Sequence, residues 1–543
     1  MKNSFFLIAA LMVFGCKEST TTLANLPPTD TGNSDIISTE SYYGDGSIPA
    51  APVVDYTDQD SQTRHIVLSQ NWKQLHRDIY GVNGQTANTP AIDTNPDFLT
   101  KIGGLSLGNF RWPGGTIGNY FDWRTGKTKA IDAKDPNGGP TQGNMTQRNT
   151  YGLSQLKWVL NAAGATPIFM LNMLTDILPN QLEMLSTAKQ MGMPIKYIEL
   201  GNEFYLSYAQ GGDNTTGKLG DYANVPYHYP TAKSYADSCE YYIAEIKKRF
   251  PEAMVAFHGV IDEPTQVWFN SSPRSVEWNK VMKQCITSTN IVIMHDYPNV
   301  DDYPNHGVRT PAGALKITLD THKANRSFIE TTYPGYEVWF TEYNNKTDTN
   351  GSGFRRNLYA GQWIHGMIAS LTTAYLLSCP QVKLTCIHDI VSGVSACLIY
   401  DNETNIPVSW DNTSTRVTGK TNEYSAAGVA HALLGKVAKG SDWMQLISVT
   451  NNPMMTTEKG NIETLHGAIF YSGNTTRAFI VNLSDQMQRI GVANLRGVST
   501  VESHHTESLN KFILTSTDCS QETITHFTAQ TIDLHPFSIT IMY

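Results

Sequence analysis

The segment "YIELGNEFY" (197–205) sets strand-favouring residues ahead of Gly201-Asn202-Glu203. A carboxylate at the end of a buried strand is costly unless it is paired or does chemistry. A second acid, Glu342, closes the apolar run "EVWFTEY" (337–343). Two carboxylates brought together from distant parts of a chain can share one reaction. One gives a proton while the other stabilises or attacks an electron-poor centre. Other polar groups also end apolar runs: Arg111 in "SLGNFRW", Asn172 in "TPIFMLN", Asn202 beside Glu203, His295 and Tyr297 in "IVIMHDY", and His388-Asp389. The expected division of labour follows from neighbours. Glu203, between Asn202 and Phe204, is read as the protonated member. Glu342 is read as held ionised by Arg111 and the hydroxyl of Tyr297. Taken singly, a Gly-Asn-Glu or a strand-end His is an ordinary structural feature; the joint placement is what carries information.

The elements that must position these groups alternate along the chain. Eight short apolar runs, 77–83, 106–112, 166–172, 196–202, 253–259, 291–297, 337–343 and 382–388, read as strands. Helical patterns follow at 151–164, 180–192, 231–250, 274–285, 315–330, 355–378 and 424–437, with Gly164 and Gly192 placed as helix-closing residues. Eight strands alternating with helices predict an α/β fold, a (β/α)8 TIM barrel over 77–437. A doubly wound open sheet is the competitor, but the first strand is not followed by a Gly-rich phosphate turn. Beyond 437 the runs are short, alternating and bounded by turn residues, which predicts a C-terminal antiparallel β-sandwich over 438–543. A strand within 61–76 is expected to join that sandwich.

A barrel gathers the C-terminal ends of its strands at one mouth. The polar strand ends then converge, and Glu203 and Glu342, on strands four and seven, face each other across a sugar-sized gap. Cleaving a glycosidic bond needs such a pair, and a separation of about 5 Å lets the second carboxylate attack directly, with retention of configuration. Asn202 offers an amide to a sugar 2-hydroxyl. The loops 113–150, 204–230 and 298–312 fall on the same face and carry aromatics suited to sugar rings, including Tyr120, Trp123, Tyr205, Tyr208, Tyr227 and Tyr229. No cofactor or metal is called for, because the carboxylates supply both proton and nucleophile. The acidic, Gly-rich "DAKDPNGG" (132–139) is read as a plain turn in preference to a Ca²⁺ loop.

At these residues the sequence resembles clan A of the glycoside hydrolases, retaining enzymes on an eight-stranded barrel. The resemblance implies that Asn202-Glu203 matches the clan's Asn-Glu at strand four, with Glu203 as acid/base, and that Glu342 matches the strand-seven nucleophile. Arg111, His295 and Tyr297 match its supporting Arg, His and Tyr. Within the clan, "FRWPGGTIGNYFDWRTG" (110–126) resembles the "RWPGG" segment of family 51 α-L-arabinofuranosidases. The chain departs from that family in three places. Strand one ends in Gly81-Val82-Asn83-Gly84-Gln85 where the family has an acidic residue, Phe204-Tyr205-Leu206 follows Glu203, and His388-Asp389 replaces the clan's strand-eight Trp. The resemblance therefore implies the reaction more firmly than the sugar. Family 39 and 79 activities, β-xylosidase and β-glucuronidase, stay open, as does a β-agarase-like action on algal galactan. A non-catalytic glycan-binding lipoprotein is the alternative of another class; retention of both carboxylates with Arg111 and Tyr297 speaks against it.

The ends of the chain and its composition add a setting. "MKNSFFLIAALMVFGC" resembles a bacterial lipoprotein signal peptide over 1–16, with Cys16 as the residue to be lipidated. Residues 17–60 read as a disordered tether. This implies a lipid-anchored protein of the outer membrane or cell surface, with a periplasm-facing orientation left open, acting on a polysaccharide or oligosaccharide. A net charge of −9 over 543 residues excludes a basic nucleic-acid footprint. Six further cysteines are expected to be mostly buried and small-hydrophobe-like, with one or two bridges allowed.

Overall fold

The protein is represented by a computed structural model that describes residues 63–69, 71–84, 95–128, 150–205, 228–261, 277–298, 300, 310–345, 347–348, 355–356, 359–391, 397–401, 405–407 and 416–543. Cys16, the expected tether and the 132–139 loop lie outside these residues, as do Tyr208 and Tyr227.

Eight parallel strands close into a barrel: β1 (Tyr80–Asn83), β2 (Asn109–Trp112), β3 (Thr166–Leu171), β4 (Tyr197–Leu200), β5 (Met254–His258), β6 (Ile291–Asp296), β7 (Glu337–Tyr343) and β8 (Val382–Ile387). Each pairs with its sequence neighbours, and β8 pairs with β1 to complete the ring. Strand alternation decides what fills it. The lower layers are apolar: Ile168, Tyr197, Ala256, Ile291, Ile293, Trp339, Leu384 and Cys386 form one buried cluster. Two residues beyond Tyr197, Ala256 and Ile293 the strands carry Glu199, His258 and His295, and Arg111 on β2 and Glu342, three residues beyond Trp339 on β7, join them; all five are buried. The interior is thus an apolar plug below and a polar mouth above.

Outer helices cover the barrel where the sequence expects them, with shifts at the ends. Leu153–Ala163 closes on Gly164 at φ +61°, the left-handed conformation that a Cβ would strain. The helix expected over 355–378 starts only at Trp363, because Gly361 (φ +73°) and an extended Gln362 interrupt the chain; Arg355–Arg356 instead pairs with Thr347–Asp348. A helix absent from the expectation, Pro96–Gly104, joins β1 to β2. It is signalled by Pro at its start and by Asn95, whose side chain accepts from the Asp97 amide.

The C-terminal part is two packed sheets. One has the strands Lys73–Gln74, Trp443–Leu446, Leu465–Ser472, Thr475–Asn482, Ser538–Met542, Thr500–His505 and Ser520–Thr525; the other includes Ser448–Val449, Arg64–Val67, Gln488–Gly491 and Thr531–Leu534. Arg64–Val67 pairs with Ser448–Val449 on one side and Gln488–Gly491 on the other, so the chain threads the sandwich before entering the barrel. The helices Trp363–Ser378 and Ala426–Ala438 lie between the two parts. Their buried residues share one apolar core with Phe470, Phe479, Val481, Ile539 and Ile541 of the sandwich. None of the six cysteines from Cys239 to Cys519 is in a disulfide, so the one or two bridges the sequence allowed do not form; five are buried, as expected of small apolar side chains.

Candidate active site

Glu342 ends β7 and is buried. Its Oε1 accepts from Arg111 Nη1 at 2.5 Å and from Asn83 Nδ2 at 3.4 Å. Its Oε2 accepts from the Tyr297 hydroxyl at 2.7 Å. Burial alone would raise its pKa, but His295, Arg111 and His388, with the Tyr297 hydrogen bond, hold it well below the usual carboxylate range. The same contact and its burial push the Tyr297 phenol far up, so it stays a donor.

Glu203 follows β4 in a left-handed backbone conformation, φ +51°, which a non-glycine residue adopts only where the surroundings over-determine it. Gly201, two residues before, is also at positive φ. This turn lifts Glu203 out of the strand line and over the barrel mouth. Its surroundings are more polar than its neighbours in sequence suggest. Oε1 accepts from the Tyr205 hydroxyl at 3.0 Å and lies 3.0 Å from His295 Nδ1. Phe204 points elsewhere, packing on Tyr229 and Tyr235 with ring centroids at 4.9 and 5.1 Å. Phe204, the neighbour on which the reading of Glu203 as the protonated member leaned, thus gives it no apolar wall; the left-handed turn at Glu203 sends the aromatic side chain away from the carboxyl.

His295 links the two acids. A register shift between Met294 and His295 on β6 re-aims its ring. Nδ1 lies 3.0 Å from Glu203 Oε1 and 3.7 Å from Glu342 Oε2. Nε2 lies 3.0 Å from the Thr341 hydroxyl. Oxygens of Glu203 and Glu342 and a nitrogen of His295 all fall within 4.8 Å of one another. The side chains of the two acids keep 13% and 7% exposure, enough to meet a ligand from the mouth. The same three residues could geometrically hold a cation, as could Glu199, His258 and His295. In the second trio the Arg111 guanidinium already occupies Glu199, which argues against it.

Asn202 is fixed by Asn119. Its backbone N–H donates to Asn119 Oδ1 at 3.0 Å, and Asn119 Nδ2 donates to its carbonyl at 2.9 Å. Its side-chain oxygen accepts from Arg111 Nη2 at 2.8 Å. That leaves the Nδ2 donor buried and without a partner beside Glu203. Such an orphan donor is costly unless a ligand takes it. Asn172 is different. Its amide donates to the Phe121 carbonyl, and its oxygen accepts from the backbone N–H of Leu174 and Thr175. It ties the turn after β3 together and has no group left for substrate; a strand-end Asn favours such turns generally.

The sequence reading passed over Glu199, His258, Thr341 and Asn119, and took Tyr205 only as a loop aromatic suited to a sugar ring. Glu199 is fully buried and receives Arg111 Nε at 2.8 Å and Nη2 at 2.5 Å. Period-two alternation was the available signal, since Glu199 stands two residues beyond Tyr197, which faces the barrel interior. Of the loop aromatics, Tyr205 touches Glu203, whereas Tyr229 spends its hydroxyl on the Met173 carbonyl and Tyr120 is buried.

No family model matches the chain, and no curated protein matches it in sequence. Solved structures do. The chain is similar to the thermostable GH51 α-L-arabinofuranosidase of Thermotoga petrophila at 17% identity, covering 87% of this chain and 97% of that one, with a TM-score of 0.57. A family 51 α-L-arabinofuranosidase of Bifidobacterium longum gives 12% identity, 89% and 99% coverage and a TM-score of 0.61. A 4-O-α-L-rhamnosyl-β-D-glucuronidase of Fusarium oxysporum gives 13%, 88% and 99%, and 0.53. At these identities the likeness is one of fold: barrel and sandwich together, over almost the whole of each neighbour.

Proposed function

We propose that this chain is a retaining glycoside hydrolase of the α-L-arabinofuranosidase type, acting on a plant or algal polysaccharide or its oligosaccharides. The observation that carries the reading is the approach of Glu203 and Glu342 oxygens to within 4.8 Å. Retaining enzymes hold their carboxyl groups about 5–5.5 Å apart, whereas inverting ones leave roughly 6.5–9.5 Å for a water. In the first step a Glu342 oxygen bonds to the anomeric carbon while Glu203 gives its proton to the departing oxygen. In the second, Glu203 takes a proton from water, the water oxygen bonds to the anomeric carbon, and Glu342 leaves as a carboxylate. Tyr297 and Arg111 orient Glu342, and Asn202 Nδ2 is the donor for the sugar hydroxyl next to the reacting carbon.

Hydrolysis of 4-nitrophenyl α-L-arabinofuranoside followed by ¹H NMR tests this. The first-formed sugar should keep the substrate's configuration; an inverted first product refutes the mechanism. A panel with 4-nitrophenyl β-D-glucuronide and β-D-xyloside settles the sugar. Asn83, standing where the family 51 resemblance expects an acid beside Glu342, is the observation that keeps a β-glucuronidase-like action as the second reading.

A lipid anchor at Cys16 and an outer-membrane or surface location belong to the same proposal. Labelled palmitate should enter the full-length chain and not Cys16→Ala, and the variant should leave the membrane fraction. Equal labelling of both would overturn the anchor.

A further inference from the structure

We infer that Glu199 is a positioning residue that holds the charge of Arg111 while Glu342 is esterified; the inference rests on the two-step reaction proposed above. Arg111 is wholly buried and faces two carboxylates. Its Nε and Nη2 grip Glu199 at 2.8 and 2.5 Å, and its Nη1 meets Glu342 at 2.5 Å. One cation shared between two anions binds each less tightly than it would bind one. Glu342 is therefore left more nucleophilic than an exclusive Arg111 partner would leave it.

The larger effect comes after attack. Once the Glu342 oxygen is bonded to the anomeric carbon and the Glu203 proton has gone to the leaving oxygen, the negative charge has moved from Glu342 to Glu203. The ester beside Arg111 is neutral. Without Glu199 the guanidinium would then be a buried cation lacking any anion, an arrangement that proteins pay for heavily. With Glu199 it keeps a two-point partner throughout the cycle.

The other groups around Glu199 do not replace it. His258 Nε2 lies 3.1 Å from Glu199 and 2.8 Å from the Gly201 carbonyl, so that nitrogen carries a hydrogen, and burial disfavours a second proton on the ring. Thr341 donates at 3.4 Å and is uncharged. Glu199 itself has no exposed surface, so it acts on the reaction through Arg111 and not on the sugar.

Two arms test the inference. With 4-nitrophenyl α-L-arabinofuranoside, Glu199→Gln should lower kcat/KM, which reports formation of the ester, by roughly 10- to 100-fold. Reactivation of enzyme trapped with a 2-deoxy-2-fluoro-arabinofuranosyl probe, which reports ester hydrolysis, should stay the same or quicken. Glu199→Asp, keeping the charge, should recover most of kcat/KM. A folded Glu199→Gln with unchanged kcat/KM, or with both steps slowed alike, overturns the inference. The second arm needs no turnover. Glu342→Gln mimics the neutral ester, so Glu199→Gln/Glu342→Gln should melt roughly 5 °C or more below the sum of the two single effects. Additive melting shifts overturn it. If the wild-type chain cleaves no nitrophenyl glycoside, the proposed function fails, while the melting arm still decides the role of Glu199.

Discussion

At the scale of single residues, the site is a set of donors and acceptors with few atoms to spare. Glu342 accepts from Arg111, Tyr297 and Asn83, so each change there has a defined direction. Glu342→Gln removes the proposed nucleophile and should reduce kcat/KM by at least about 10³-fold with the fold intact by circular dichroism. Tyr297→Phe deletes one donor to an ionised acceptor and should cost about 10- to 100-fold in turnover. The pH dependence of stability follows from Glu199. Burial acts to raise its pKa, but Arg111 and His258 bring it down from 4.5 to about 2. Because the folded value is depressed, Glu199 contributes stability that is fully present above about pH 4.5 and is lost as pH falls towards 2. Thermal melts between pH 6 and 2 should show a fall in that window that is smaller in Glu199→Gln; an identical slope in the variant contradicts the assignment. The residue types at the mouth were readable in the sequence because strand ends in a barrel share one face. Phe204 and Asn172 show where that reading stops. Which way a strand-end side chain turns depends on local backbone, here the left-handed Glu203 and the turn after β3, and no periodicity reports it.

At the scale of elements, the barrel strands were legible because each is a short apolar run with a polar end. Helix starts were less so. The true start at Trp363 is set by Gly361 and the extended Gln362, features that read in sequence as ordinary helix interior. The short helix Pro96–Gly104 was hidden by its brevity, though Asn95 and Pro96 mark it. Close helix packing also decides a mutation whose sign propensity gets wrong. Gly366 faces the helix Ala426–Ala438, and an added Cβ would sit 2.4 Å from the Ala426 carbonyl oxygen. Gly366→Ala gains up to about 1 kcal/mol of helix propensity but forces the helices apart. The net outcome expected in urea denaturation is a loss of about 1–3 kcal/mol; a more stable variant would show the contact is loose.

At the scale of the whole molecule, the sandwich is a structural partner of the barrel. Trp363 donates from its indole nitrogen to the Phe537 carbonyl at 2.7 Å, and the amides of Trp363 and Ile364 donate to the Lys511 and Leu509 carbonyls. One apolar core runs through both parts. Calorimetry should therefore give one unfolding transition, and two resolved transitions would contradict a shared core. The free cysteines predict that this transition does not move on adding reductant. Composition and turn spacing announced a sandwich, and a lone strand ahead of the barrel with no partner sheet of its own announced that it would join it; which strands it pairs with was not legible. Arg64 pairs with Ile490, more than three-quarters of the chain away, and no local pattern encodes that choice of partner.

The central claim, that Glu203 and Glu342 act as acid and nucleophile across one short gap, is tested most directly by trapping. Incubation with a 2-deoxy-2-fluoro-arabinofuranosyl probe bearing a good leaving group, followed by peptide mass spectrometry, should place one fluorosugar on the peptide containing Glu342. Glu203→Gln should still form that adduct, because the leaving group needs no proton. A protein that hydrolyses the parent glycoside but carries its adduct on another residue would contradict the account.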